Sequence, residues 1–512
     1  MTLPASGPRA LAVCLLSGIA LSLAFPEPSL APLAWIAVAP LIVIGAGASP
    51  RRGFTLAFVF GLGFFSLLLL WVSAVGWIAW LLLVVMEAAM FGLFGLGWSL
   101  IARLGRVWWM VAGPALWVTV ELVREYFPIV GFPWGQLAQG QVATLWMLPT
   151  AGIGGAKVVS FIVVAINVCV ALAWLGEKDR SAVASTGGRR ATGSSFARRI
   201  GFVGVAGILL ALGPFVGLLR PHTDTSTEPL KVAIVQGNAG PGVQVEDESA
   251  RVDRHRALTE ELSAEGLDLV VWPESSVGID PTLDADIAAK VADAALAADA
   301  PMIVGANLEA GDDRYMVMTL HVDRAGEIVD RYQKTHLVPF GEYIPARSLI
   351  GGLSLLQQVP RDAVAGNEPR NFDVEGTEVA TVISFEGDFG PLVRDRIDAG
   401  ARLLVVATNT STWGRSWASA QHVAMSQVRA AENGVPVAHA ALSGISAVIT
   451  SEGRVLADTP LYEEATLVHE LAPSDFVTFY ARTGEWFPLL CLAITIVAAS
   501  AGARSRRVDT VG

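Results

Sequence analysis

The feature that most constrains this sequence is a series of long apolar runs between Ala10 and Leu219, separated by short polar or proline-bearing stretches. A bilayer core takes about 20 apolar residues per helix, and a backbone in hydrocarbon must satisfy its own N–H and C=O groups. Such runs therefore fold as packed membrane helices. The spacing predicts helices over residues 10–25, 30–48, 53–72, 77–101, 107–127, 156–175 and 200–219, with an eighth at 486–501. Pro26, Pro28, Pro32 and Pro50 fall at or near the breaks, where a missing N–H costs least. Composition agrees, since 53% of the 512 residues are hydrophobic and only 16% charged, well outside the range of an ordinary soluble domain.

Basic residues in short loops set orientation. Arg9, Arg51, Arg52, Arg103, Arg106, the 178–199 loop, Arg504 and Arg507 fall on one side, while the loops around Glu27, Ser73 and Val130 carry almost no Lys or Arg. Eight spans then put both termini in the cytoplasm of a multi-pass inner-membrane protein and residues 220–485 outside. The Ser/Gly/Arg-rich stretch 176–199 reads as a disordered cytoplasmic linker. The formal charge of −11 is concentrated in acidic residues between Glu246 and Asp475, which excludes nucleic acid as a partner. Cys14, Cys169 and Cys491 all lie in apolar runs, and no Cys/His spacing calls for a metal. Residues 11–14 (LAVC) faintly resemble a lipoprotein processing site, but the apolar run continues past Cys14, so a retained first helix is expected.

Glu121, Arg124 and Glu125 interrupt the fifth run near its outer end. Charge there is expensive and must face protein or a wet cavity. Glu121 and Arg124 are i,i+3 neighbours, which permits a pairing on one helix face, either as a structural clamp or at a lipid entrance. Trp71, Trp77, Trp80, Trp134 and Trp146 suit interfacial anchoring, with Trp134 the best placed to line a lipid path.

From Lys231 the pattern changes to short β-rich runs (231–236, 269–272, 301–305, 317–322, 379–383, 403–407) alternating with amphipathic helices (246–264, 283–298, 418–433). Near-continuous Val/Ile/Leu strands between helices predict a sheet covered on both faces. Three chemistry-bearing residues sit at strand ends. Pro273 is expected to stop a strand and leave Glu274 at its carboxyl end. Lys334 follows the strand 327–332. Ser384 follows 379–383, with Phe385 and Glu386 beside it. Open α/β sheets bind ligands at the carboxyl ends of their strands. A carboxylate base, an ammonium and a nucleophile form a sufficient set for acyl transfer without a cofactor.

The residues around these positions carry a resemblance. WPE at 272–274, KTHLVPFGEYIP at 334–345 and a strand ending at Ser384 are similar to the nitrilase superfamily, whose triad is Glu–Lys–Cys. PALW at 114–117, Glu121, Arg124, GFPW at 131–134, the 152–161 stretch, VQGN at 235–238, Gln421–His422, RAAE at 429–432, GIS at 444–446 and TFYARTGEWF at 478–487 resemble its membrane branch, the apolipoprotein N-acyltransferases. The resemblance covers nearly the whole chain. It implies a transmembrane bundle over 1–220, an extracytoplasmic nitrilase-like αββα sandwich over 229–475 and a closing transmembrane helix over 486–503. It implies Glu274 as general base, Lys334 as oxyanion stabiliser and Ser384 as nucleophile, with Glu342, Glu386 and Phe385 in support. Phe340, beside a Gly341 hinge, and Trp413 fall on lid loops over the site. The family moves an acyl chain from a membrane phospholipid onto the enzyme and then to the α-amino group of a diacylated apolipoprotein. Some actinobacterial relatives are associated with a polyprenol-phosphate mannose synthase, so a partner membrane enzyme is conceivable. A monomer is expected.

Departures from the family pattern are specific. Ser384 stands for Cys, Phe385 for Tyr and Met316 for Asn. The Asn-Asp-Ala-Trp-Phe-Gly loop reads Asn409-Thr410-Ser411-Thr412-Trp413-Gly414, and Val245 falls about where a Trp belongs. Several altered neighbours fit natural divergence better than one laboratory replacement. A thiol ionises near pKa ~8.5, whereas an alcohol is far less acidic, so Glu274 works uphill with Ser384. Two readings stay open: an N-acyltransferase with a serine nucleophile, and a catalytically silent relative that binds lipid, lipoprotein or a partner. An amidase acting on small soluble substrates fits the membrane half poorly.

Overall fold

The computed structural model describes residues 7–185, 192–220, 228–240, 247–311, 313–352, 356–357 and 359–511. The chain divides into two compact units, residues 1–220 with 485–512, and residues 221–484.

In the first unit, five stretches are long and apolar enough to cross a membrane among the described residues: Pro50–Leu68, Trp77–Leu104, Ala156–Leu175, Gly201–Leu219 and Trp486–Ser505. The helices Pro8–Ser22 and Arg106–Tyr126 complete the apolar set, the second carrying Arg106, Glu121, Arg124 and Glu125. The span expected at 30–48 is not one helix. A 3-10 segment Ala31–Trp35 gives way to a short helix Ala39–Gly45. Pro32 and Pro40 remove donors there, and Asn167 from another helix repairs the break. Its Oδ1 accepts the N–H groups of Val38 (2.9 Å) and Ala39 (3.0 Å), and its Nδ2 donates to Ala34 O at 2.7 Å. The linker expected at 176–199 lies partly outside the described residues. Helical backbone runs to Ser185 and resumes at Thr192, with 186–191 outside the described residues.

Helices Pro50–Leu68 and Trp77–Ile101 meet backbone to backbone at Gly53 and Gly95. A Cβ on Gly95 would stand 2.0 Å from Gly53 O, so only glycine permits this crossing.

The second unit is built on two sheets. The first contains β1 (Leu230–Gln236), β2 (Leu269–Val277), β3 (Met302–Glu309), β4 (Arg314–Val322), β5 (Ile328–Gln333) and a short β6 (Asp362–Ala363) paired to β4. The second contains β7 (Asn371–Val374), β8 (Thr377–Ile383), β9 (Leu403–Thr408), β10 (Val437–Ala441), β11 (Ala447–Ile449) and β12 (Val455–Asp458), while β13 (Ala465–Leu471) returns to the edge of the first, antiparallel to β1. β1, β2 and β3 are parallel, as are β8, β9 and β10.

Alternation along each strand explains the layering. Val232, Ile234, Leu269, Val271, Leu403 and Val405 enter one core between the sheets. Ala233, Val235, Val270 and Trp272 point the other way, into a core shared with helix Ala285–Ala298. Leu404 and Val406 do the same on the far side, toward helices Gly390–Asp398 and Ala418–Asn433. The expected single sheet is therefore two, stacked face to face with helices outside, as the family resemblance implied.

β2 also departs from expectation. Pro273 does not end it. The strand runs to Val277, but its pairing with β3 jumps from Trp272–Val304 to Val277–Ala306, and Ser275 takes a left-handed φ of 57°. Glu274 lies in this irregular stretch. Gly305 makes it possible, because a Cβ there would sit 2.1 Å from Pro273 O and 2.6 Å from Glu274 Cα.

Candidate active site

The irregularity in β2 delivers the Glu274 carboxylate to Lys334, which the end of β5 supplies. Lys334 is anchored by its backbone, its N–H donating to Val317 O at 2.9 Å and its carbonyl accepting from Gly366 N at 2.8 Å. Lys334 Nζ lies 3.0 Å from Glu274 Oε1 and 2.5 Å from Glu342 Oε1, and the Lys334 side chain is 1% exposed. Burial works against the ammonium, yet the charges of Glu274 and Glu342 outweigh it and hold Lys334 above the ordinary lysine range. Burial pushes the Glu342 carboxyl upward, Lys334 opposes that shift, and the charge of Glu274 adds to it. Glu342 is fixed from its other oxygen, which accepts Val338 N at 2.7 Å.

Ser384 begins the tight turn Ser384–Asp388 directly after β8, with φ of 51°. Left-handed backbone at a non-glycine residue costs energy and is common where a sharp strand-to-helix turn presents a nucleophile. Its Oγ accepts a hydrogen bond from Thr408 Oγ1 at 3.1 Å. The next residue, Asn409, donates its N–H to Glu274 Oε2 at 2.7 Å. The end of β9 thus touches both the hydroxyl and the carboxylate, and both Glu274 oxygens are engaged.

Glu386 holds the turn. Its Oε1 accepts Tyr332 OH (2.7 Å), Thr335 N (2.8 Å), Thr335 Oγ1 (2.8 Å) and His336 N (3.1 Å), and its Oε2 accepts Ile383 N at 2.9 Å. Burial pushes the Tyr332 hydroxyl up, with the Glu386 charge adding to it, so the phenol stays a donor. His336 is structural in the same sense, its ring packing 4.3 Å from Phe389. A carboxylate against a buried ammonium, linked through Thr408 and Asn409 to an alcohol on a constrained turn, is a set of groups that acyl transfer through a covalent ester can use.

A profile described as "Apolipoprotein N-acyltransferase N-terminal domain" matches residues 17–169, and one described as "Carbon-nitrogen hydrolase" matches 231–479. An apolipoprotein N-acyltransferase of Geobacter metallireducens is 30% identical, over 97% of this chain and 96% of its own length. The chain belongs to the apolipoprotein N-acyltransferase family. That family is one of acyltransferases within the carbon-nitrogen hydrolases. A relative of the same name from Gloeobacter violaceus is also 30% identical, over 95% of this chain and 92% of its own. Among solved structures, a mutant of the Nesterenkonia AN1 amidase from the nitrilase superfamily aligns with 50% of this chain and 93% of its own, at 20% identity and a TM-score of 0.39.

Within this apolipoprotein N-acyltransferase family member, the remaining predicted residues are dispersed. Phe385 packs on Phe389 at 4.9 Å. Phe340 is exposed, with φ of 63°, and its N–H donates to Tyr343 O. Trp413 packs 5.5 Å from the His422 ring. Met316 packs at the margin of the outer core, and Thr410 Oγ1 lies 3.3 Å from Ser419 Oγ. Val245 lies outside the described residues. Trp134, Glu121 and Arg124 belong to the other unit. Trp134 is 2% exposed, packed between Trp71 and Phe132, and its carbonyl accepts Arg124 Nη2 at 2.5 Å. Arg124 does not form its ion pair with Glu121. Its Nε pairs with Glu87 on helix Trp77–Ile101, and Glu121 Oε1 instead accepts Trp117 Nε1 (3.0 Å) and Leu137 N (3.1 Å). The ion pair thus joins two helices instead of spanning one turn.

Sequence reasoning missed Thr408, the Asn409 N–H, Glu87 and the buried Lys157, which lies 2.6 Å from Glu125 and 3.1 Å from Glu485. A lone Glu or Lys inside an otherwise apolar run, as at Glu87 and Lys157, was an available signal.

Proposed function

We propose that this chain is an apolipoprotein N-acyltransferase that uses Ser384 as its nucleophile. The observation that carries this reading is the Glu274–Lys334–Glu342 cluster around the buried Lys334, joined to Ser384 through the last residue of β9 and the residue after it. Ser384 Oγ attacks the ester carbonyl of a membrane phospholipid while its proton passes to Glu274. Lys334 stabilises the tetrahedral oxyanion. The C–O bond to the glycerol breaks, the leaving oxygen takes the proton from Glu274, and a lysophospholipid departs. The α-amine of a diacylglyceryl-cysteine then attacks the acyl-serine ester, giving its proton to Glu274. The bond from the acyl carbon to Ser384 Oγ breaks, Oγ recovers the proton, and an amide is released.

The membrane reading follows the same family. The apolar helices hold the enzyme where its acyl donor resides. The distribution of arginines supports eight spans, with 1–220 and 486–503 in the bilayer, both termini cytoplasmic and 229–475 outside. A monomer is sufficient for this chemistry, and a partner membrane enzyme remains a separate proposal tested by co-purification. Phe340 and Trp413 are proposed as lid residues, and Trp134, Glu121 and Arg124 as the frame of the lipid path.

The test is purified protein with labelled phospholipid and a diacylated lipopeptide, compared with Ser384→Ala and Ser384→Cys. Wild type yields triacylated peptide, Ser384→Ala yields none, and Ser384→Cys forms a thioester when the peptide is left out. Wild type and Ser384→Ala equally inert, with lipid still bound, would establish the silent-relative reading that the serine itself favours.

A further inference from the structure

The last residue of β9 and the one that follows it reach both members of the reacting pair. Thr408 Oγ1 donates to Ser384 Oγ at 3.1 Å, and the adjacent Asn409 N–H donates to Glu274 Oε2 at 2.7 Å. Thr408 is fully buried, and its backbone is fixed by pairing with Ala441 on β10 and by Leu442 N donating to Thr408 O at 3.0 Å. Its hydroxyl is therefore held by the sheet, not by a mobile loop.

We propose that Thr408 is a positioning residue for Ser384, whose hydroxyl donor offsets the weak acidity of an oxygen nucleophile. The proposal rests on the acyl-transfer reading above. Two physical consequences follow from the direction of the bond. With the Thr408 proton on Ser384 Oγ, the serine's own proton points elsewhere and is free to reach an acceptor, and Oγ is kept in one rotamer. As that proton leaves, charge develops on Oγ, and a hydrogen bond to a charged oxygen is roughly twice as strong as one to a neutral oxygen. The bond therefore strengthens as the reaction advances, in a buried place where water does not replace it. Sulfur gains much less, because a thiolate forms readily on its own and accepts hydrogen bonds weakly. Asn409 completes the arrangement from the backbone, so one rigid dipeptide keeps nucleophile and carboxylate in register.

The experiment uses full-length protein in detergent micelles and measures single-turnover acylation from a labelled phospholipid across pH. Thr408→Val keeps the shape and removes the donor, and Thr408→Ser keeps the donor. Each is made with Ser384 and with Ser384→Cys. For the serine enzyme, Thr408→Val slows acylation about ten- to a hundredfold, the size expected for losing a hydrogen bond to a charged group. It also moves the pH–rate profile upward, and Thr408→Ser restores the rate to within about threefold of wild type. With Ser384→Cys, the same Thr408→Val change costs less than about threefold. Equal losses with serine and cysteine would make Thr408 merely structural and overturn the proposal, as would an unchanged rate in Thr408→Val. Ser384→Ala separates the two levels. An inactive Ser384→Ala beside an unaffected Thr408→Val defeats the positioning role alone. A wild type no faster than Ser384→Ala defeats the acyl-transfer reading and this proposal with it.

Discussion

Replacing Lys334 with Met removes the cation that stands between the buried Glu274 and the partly buried Glu342. Lys334 Nζ stands 3.0 Å from Glu274 Oε1 and 2.5 Å from Glu342 Oε1, which puts those oxygens within about 5.5 Å of each other. At that separation two negative charges repel by about 3 kcal/mol at an effective dielectric near 20. Breaking a buried ion pair by deleting one partner costs about 3–5 kcal/mol, consistent with that repulsion plus the lost hydrogen bonds. For a domain of this size the melting temperature falls roughly 2–4 °C per kcal/mol, so a drop of at least about 6 °C is expected near pH 8. The deficit depends on pH with a definite sign. Glu342 is already raised by burial, Lys334 opposes that rise and Glu274 adds to it, so losing Lys334 lifts it further. A carboxyl raised in the folded state binds an extra proton on folding, and its destabilisation shrinks as pH falls toward the unfolded value of about 4.3. The assay is thermal melting of detergent-solubilised wild type, Lys334→Met and Lys334→Met/Glu342→Gln at pH 5 and pH 8. The single variant is more impaired at pH 8 than at pH 5, and the double variant recovers at least half the loss. A deficit that is the same at both pH values, or unmoved by Glu342→Gln, refutes the electrostatic account. Wild type itself is governed by the raised Lys334, whose contribution is complete below about pH 10 and is lost only as pH climbs through its folded value.

Gly305→Ala places a Cβ against Pro273 O and Glu274 Cα, so it shifts the carboxylate. It lowers turnover at least tenfold and costs about 1–3 kcal/mol of stability, read by acylation rate and melting. Glu386→Gln puts an amide NH2 where one of the engaged oxygens now accepts only donors. It destabilises the second unit by about 1–3 kcal/mol, measured by thermal melting, and slows acylation because the Ser384 turn loosens. Arg124→Leu strands Glu87 in the first unit and costs about 3–5 kcal/mol, while Arg124→Leu/Glu87→Leu is less destabilised than the single change, scored by retention of the monodisperse peak after heating.

Much of the site could be read before any coordinates because its chemistry is local. The stretch 334–345 holds Lys334 and Glu342 eight residues apart on one loop, and the structure closes them to 2.5 Å. Glu274 was placed at a strand end for an incomplete reason. Pro273 signals disturbance, but the strand absorbs it as an irregular pairing because Gly305 opposite offers room. Thr408 escaped notice because a threonine finishing a Val-rich strand carries no chemical label until its neighbour across the sheet is known. In the first unit, apolar runs located most helices. The break at 36–38 is stabilised by Asn167, more than 100 residues away in the chain, which no local pattern encodes. Strands β10 to β12 are short and alanine-containing, so their pairing partners, more than their own residues, make them strands.

The Glu386 carboxylate is shared between the two sheets. Ile383, at the end of β8, donates from one layer, and Tyr332, Thr335 and His336, at the end of β5, donate from the other. Sliding either layer would require several of these bonds to open together inside a dry interior. The sandwich therefore behaves as a single solid body around its reacting groups, and any movement that accommodates a substrate falls to the surrounding loops.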